Sequence, residues 1–276
     1  MKIGISNFPH SSPEEWAKKQ RVLGCTAAVF PVDYTAPDKL IDAYKEAADR
    51  NGLVIAEVGT WCNPLSRTVE ERKKNIRKCI ENLKLADYLK AGCCVNIAGT
   101  TGEKWDGGYK ENYSDEMFAM TVESVQNIID EANPQNTYYT LEPMPYMLPW
   151  SPECYQKLLT AIDRPRFAVH MDAVNMVNTP EKYFNSDQFV HRCFSLLGPR
   201  IKACHVKDVL LVQELTFHLK EVPAGKGGFD IAAYAHAAEE SSPDMPFLLE
   251  HVASYEDYEE LIPYLRGLLD RERIQY

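Results

Sequence analysis

Four acidic or imidazole side chains stand where apolar runs end: Glu142 in Y-Y-T-L-E-P-M, Asp172 in F-A-V-H-M-D-A, His205 in K-A-C-H-V-K-D and Glu250 in F-L-L-E-H-V. A carboxylate that follows several apolar residues cannot stay desolvated without a partner. Taken singly, such a residue more often pairs with an arginine or caps a helix. At four consecutive run ends, one shared cation satisfies the whole set. Three carboxylates and an imidazole suit a borderline-hard divalent ion such as Mn2+, Co2+ or Mg2+ better than they suit structural zinc, whose sites are rich in thiolate.

The second layer of candidates follows from strand periodicity, because residues two apart share a face. His170 falls one layer below Asp172, and Lys207 one layer above His205. His170 is expected chiefly to support the cluster from below, with a base or a satisfied core histidine as alternatives. Lys207 either steadies an enolate oxygen or substrate hydroxyl, or simply pairs with Asp208 near the mouth. Phe8, Trp61 and Asn96 lie at other run ends, and Trp105 lies in a long Gly- and aromatic-rich loop, Gly99 to Tyr113, that is a candidate lid. Aromatic faces beside polar groups are what a sugar site requires. The glycine-rich P-A-G-K-G-G-F-D, Pro223 to Asp230, precedes a helix and is able to cradle a phosphate, although a lone loop of this kind is more often a shaped turn.

These residues need a scaffold that brings run ends together. Short β-rich runs at Lys2 to Phe8, Cys25 to Phe30, Val54 to Thr60, Cys93 to Ala98, Tyr138 to Met144, Phe167 to Ala173, Ile201 to Lys207 and Phe247 to Val252 alternate with helical patterns. The helices are expected over Pro13 to Gly24, where Ser12 and Glu15 make a capping box, and over Pro37 to Arg50, Thr68 to Lys90, Asp115 to Ala132, Pro152 to Ile162, Pro180 to Leu197, Asp230 to Glu240 and Tyr255 to Asp270. Eight strand–helix units in 276 residues predict an α/β fold, a (β/α)8 TIM barrel forming a single catalytic domain over 1–276. In a barrel the strand ends share one rim. A doubly wound open sheet is disfavoured because no phosphate-binding Gly loop follows the first strand.

A formal charge of −10 disfavours a nucleic-acid or anionic-membrane surface, which would need a basic footprint. The opening M-K-I-G-I-S-N-F lacks the apolar core and cleavage site of a secretory signal, and no apolar run reaches membrane length, so a cytoplasmic location is expected. The eight cysteines form no CxxC pair and are expected as reduced, mostly buried thiols.

The quartet, the H-V-K-D of strand seven, the following P-A-G-K-G-G-F-D and the L-L-E-H of strand eight together resemble the xylose-isomerase-like TIM-barrel superfamily, which contains ketohexose 3-epimerases, hydroxypyruvate isomerase, inosose dehydratase and endonuclease IV. The resemblance spans the chain. It implies that Glu142, Asp172, His205 and Glu250 ligate one divalent metal, Mn2+ foremost, with Mg2+, Co2+ or Zn2+ as alternatives. It also implies that Glu142 and Glu250 act on opposite sides of a carbohydrate, one removing a proton α to a carbonyl and the other returning one to a metal-held cis-enediolate. A homodimer follows by the same analogy. Two positions depart from the epimerases: Asn175 stands where they carry a histidine, and V-K-D-V-L-L-V-Q offers no clear counterpart of their arginine after the strand-seven histidine. Asn175 therefore joins Lys207, His170, Trp61, Asn96, Trp105 and Phe8 as a candidate substrate contact. The missing histidine and the acidic charge argue against the DNA-repair branch.

The expected function is a metal-dependent isomerase or epimerase of a sugar, keto-sugar or sugar-like polyol. The alternatives are a lyase, which expels water or an aglycone from the same enolate, and a non-catalytic sugar-binding barrel.

Overall fold

The computed structural model describes residues 1–252 and 254–276. Its strands in chain order are β1 (Lys2–Ile5), β2 (Ala27–Val29), β3 (Val54–Gly59), β4 (Cys93–Asn96), β5 (Tyr139–Leu141), β6 (Phe167–Met171), β7 (Ile201–Val206), β8 (Asp208–Val212), β9 (His218–Val222) and β10 (Pro246–Leu249). Among the described residues, β8 and β9 form a separate antiparallel hairpin, and the other eight strands make one parallel sheet in the order β1-β10-β7-β6-β5-β4-β3-β2. Thr26 N–H donates to Ile3 O at 2.8 Å and brings the first strand against the second, so the sheet curls into the expected barrel. Gly4 permits that approach, since a Cβ there would stand 2.6 Å from Ala27 O and 2.4 Å from Leu248 Cδ2.

Helices α1 (Pro13–Leu23), α2 (Asp38–Asn51), α3 (Val69–Leu89), α4 (Asp115–Ala132), α5 (Pro152–Ile162), α6 (Pro180–Phe184), α7 (Ser186–Leu197), α8 (Ile231–Ser241) and α9 (Tyr255–Glu272) surround the sheet. The Ser12, Ser114, Ser151 and Ser254 hydroxyls each accept a first-turn N–H, which satisfies a donor that the helix itself cannot. At α1 the expected capping box is half formed: Glu15 accepts from the backbone of Ser11 rather than Ser12. The single helix expected over Pro180 to Leu197 is broken at Asn185, whose φ of −125° and ψ of 45° leave the helical region and whose amide donates to Glu181 O at 2.9 Å. The β8–β9 hairpin was not apparent from the sequence, because V-L-L-V and H-L-K-E-V lack clean alternation.

Strand parity divides the interior. Tyr139, Leu141, Phe167, Val169, Met171, Cys204, Val206, Phe247 and Leu249 join the main core between sheet and helices. Their alternate neighbours, including Ala203, Cys93, Val95 and Leu248, lie apart from it in small clusters inside the ring. By the same parity Glu142, His170, Asp172, His205, Lys207 and Glu250 face inward. No helix among the described residues is long and apolar enough to cross a membrane. The eight cysteines are free and, Cys62 excepted, buried.

Candidate metal centre

Glu142, Asp172 and Glu250 each sit one residue beyond β5, β6 and β10, and His205 lies inside β7. Parallel pairing continues past the strand limits, with Glu142 N–H donating to Asn96 O at 2.8 Å and Glu250 N–H to Val206 O at 3.2 Å. That pairing fixes the direction of both carboxylates. One ligating atom from each of the four residues lies within 4.8 Å of all the others, and all four side chains are buried.

His205 Nδ1 faces Glu142 Oε1 at 3.2 Å and Glu250 Oε2 at 2.9 Å. Asp172 Oδ1 accepts the Asn175 backbone N–H at 2.9 Å, and the Asn175 amide donates to Glu142 Oε1 at 3.3 Å and Pro143 O at 3.0 Å. Lys207 enters the same cluster: its Nζ stands 2.7 Å from both Asp172 Oδ2 and Glu250 Oε1, and 3.3 Å from Glu221 Oε2. The approach to Asp172 Oδ2 is a charge contact only, because that buried oxygen makes no hydrogen bond of acceptable geometry.

Burial works against every charge here, and the partners decide which charges survive. It pushes the Asp172 carboxyl up, and the Lys207 ammonium only partly offsets that. At Glu250 and Glu142 burial is outweighed, chiefly by His205, and both carboxyls are held low. For His205 burial disfavours the imidazolium, but Glu250, Glu57 and Glu142 together raise it well above the ordinary histidine value. The buried carboxylates outnumber the cations facing them, and Asp172 is driven toward protonation. A divalent cation would remove that surplus, and the donor set of one imidazole nitrogen and three carboxylates, among them Asp172 with its Oδ2 unbonded, fits one. His205 Nδ1 would bind it only without its proton, and the Lys207 ammonium would have to turn aside.

The sequence left two roles open for Asp208 and the glycine-rich loop, and one arrangement resolves both. Asp208 does not pair with Lys207. Its Oδ1 accepts from the backbone N–H groups of Val209 and Phe229 at 2.8 and 3.0 Å, and its Oδ2 from Gly225 and Gly227 at 3.0 and 2.9 Å. The loop is thus a turn shaped around the chain's own carboxylate, which takes the place a phosphate would need. Gly227 is required by close approach, since a Cβ there would lie 2.3 Å from Asp208 Oδ1.

The remaining candidates divide. Asn175 lies against Glu142, as described. His170 lies beneath the cluster, its Nε2 2.9 Å from Glu57 Oε2. Asn96 is turned to the outer face with the parity of Cys94, and its amide is spent on Cys62 N and O, both at 3.1 Å, so it is a scaffold residue rather than a substrate contact. Phe8 is buried against Tyr255, ring centroids 5.1 Å apart, and belongs to the core. Trp61 and Trp105 stand exposed, 41% and 37%, outside the buried cluster. The loop carrying Trp105 is tied down by Asn112, which donates to Gly107 O and Tyr146 O at 3.0 Å and accepts from the Thr100 hydroxyl at 2.6 Å.

Three residues escaped the sequence reading. Glu57 on β3 reaches both His170 and His205, and its signal was a carboxylate inside V-I-A-E-V-G rather than at its end. Glu221 on the hairpin and His251 after β10 pair at 2.6 Å beside Glu250; His251 closes the L-L-E-H motif, but the sequence assigns neither residue a role.

The profile of the xylose isomerase-like TIM barrel family matches residues 18–268. Among solved structures, 3-keto-D-glucoside 4-epimerase of E. coli superposes with a TM-score of 0.70 at 17% identity, over 97% of this chain and 99% of that one. A protein described as the probable 3-DHS dehydratase of Bacillus anthracis gives 0.73 at 17% over 96% and 99%. A xylose isomerase-like barrel from Mycobacterium smegmatis in complex with magnesium gives 0.65 at 18% over 94% and 90%. At these identities the likeness is one of fold. No protein of curated function matches the sequence.

Proposed function

The chain belongs to the xylose isomerase-like TIM barrel family, and from that premise we propose that it is a divalent-metal-dependent isomerase or epimerase acting on a sugar, keto-sugar or sugar-like polyol. The observation that carries the proposal is the buried quartet, whose ligating atoms lie within 4.8 Å of one another at the rim of the barrel. When bound, a divalent cation, Mn2+ by preference, supplies stabilisation of negative charge on a substrate carbonyl oxygen. In the sheet order β10-β7-β6-β5, Glu250 and Glu142 bracket His205 and Asp172, so the two glutamates reach a substrate from opposite sides. One takes the proton α to the carbonyl and the other returns a proton. Asn175 holds Glu142 Oε1, which fixes the direction from which that carboxylate acts.

A lyase is the second reading, favoured by the Lys207 ammonium. It is buried 2.7 Å from Glu250, and it can donate a proton to a departing hydroxyl or alkoxide. The likeness to an epimerase and to a probable dehydratase is compatible with both. The test is turnover on a panel of keto-sugars and keto-glycosides: exhaustive chelation abolishes it and Mn2+ restores it. Full turnover by the chelated protein would remove the metal from the account.

A further inference from the structure

Beneath the quartet, and sharing His205 with it, lies a second buried group whose Glu57 and His170 the proposed reaction does not use. Glu57, on the inward face of β3, is 2% exposed, His170 is 0% and His205 3%. Glu57 Oε2 lies 2.9 Å from His170 Nε2, and Glu57 Oε1 lies 3.2 Å from His205 Nε2. The two imidazoles meet edge to face with centroids 4.1 Å apart. A carboxylate this deep in a barrel is costly unless its oxygens are bonded, and here each oxygen has one imidazole nitrogen as its partner.

We propose that Glu57 is a positioning residue for His205. Its carboxylate takes the Nε2–H of His205 and so fixes the tautomer and ring orientation that present Nδ1 to a divalent cation, while His170 donates Nε2–H to the other carboxylate oxygen and holds it in place. This rests on the metal reading of the site above.

Two observations support the assignment. First, the two nitrogens of His205 are divided between layers: Nδ1 faces Glu142 and Glu250, and Nε2 faces Glu57. A neutral imidazole carries one N–H, so whichever nitrogen has a firm acceptor leaves the other as the ligand. Second, His170 Nδ1 is buried without a partner, which matches a histidine whose one N–H is committed through Nε2.

Glu57, His170 and His205 also lie close enough to hold a cation of their own. The separations of 2.9 and 3.2 Å are those of direct hydrogen bonds. A second cation there would also have to share the His205 imidazole with the quartet and draw charge compensation from Glu57 alone.

The experiment measures cation affinity by chelator competition in the full chain, with Mn2+ and Zn2+, and reads the His205 ring by 15N NMR of the diamagnetic Zn2+ form. Wild type should bind one equivalent, with hydrogen on Nε2 and none on Nδ1. Glu57→Gln, which keeps an acceptor but not the charge, should bind about tenfold more weakly, and Glu57→Val about a hundredfold. The metal-free variants should keep their circular dichroism, so the loss is in affinity rather than in folding. If either variant does not fold, the wild-type ring alone decides: hydrogen on Nδ1, or Nε2 bound to the metal, overturns the proposal. Affinities within twofold of wild type in both variants overturn it as well, as does a second equivalent that Glu57→Val loses. A wild type that takes up no cation removes the metal reading and this proposal together. Uptake that is indifferent to Glu57 removes this proposal only.

Discussion

Replacing Lys207 by methionine keeps most of the stem and removes an ammonium lying 2.7 Å from both Asp172 and Glu250. All three side chains are at most 4% exposed, so no solvent replaces the lost charge. Removing one partner of a buried ion pair costs about 3–5 kcal/mol, because it leaves the other charge uncompensated. The contact to Glu221 adds little, since that carboxylate is 40% exposed and screened. For a domain near this size each kcal/mol moves Tm by roughly 2–4 °C, so the metal-free variant should melt about 6–20 °C below wild type. The deficit should widen toward alkaline pH. Burial already raises the Asp172 carboxyl, and without Lys207 it stays protonated to higher pH, so the penalty for ionising it in the fold keeps growing after it has levelled off in wild type. Saturating Mn2+ supplies the missing charge and no longer competes with the ammonium, so it should raise Tm more in the variant than in wild type. Thermal melts with chelator and with Mn2+, at neutral and alkaline pH, make the measurement. A metal-free variant that melts with wild type, or equal metal-induced shifts in the two proteins, would refute the reasoning.

Asp208→Asn turns an amide NH2 toward two of the four backbone donors. It therefore loses two charge-assisted hydrogen bonds, each worth about 1.5–3 kcal/mol, and should destabilise the fold by roughly 3–6 kcal/mol. Amide exchange over 223–229 should accelerate, and unchanged exchange there would show that the loop does not depend on the carboxylate. Glu250→Gln should keep the circular dichroism of wild type and lose turnover by about a hundredfold or more. A variant of ordinary activity would remove Glu250 from proton transfer.

The barrel and the quartet were legible because both rest on local pattern. Eight β-rich runs alternate with helices, and a carboxylate or imidazole after an apolar run has few places to go. The same parity that places His170 under Asp172 turns Asn96 outward with Cys94. Phe8 ends a strand yet packs on Tyr255, far along the sequence, and no local pattern reports that. The roles of Lys207 and Asp208 depended on the β8–β9 hairpin and the loop after it, which carry Glu221 and the Gly225 and Gly227 donors to them from across the chain. Glu57 was hidden for a related reason: mid-strand position reads as an ordinary charge until β3 closes toward β6 and β7.

The most direct test of the central claim is solvent isotope exchange. Wild-type protein loaded with Mn2+ and given keto-sugars in deuterated water should return substrate and product carrying deuterium at the carbon next to the carbonyl, and the chelated protein should return none. Turnover without deuterium at that carbon, or equal incorporation after chelation, would contradict the account.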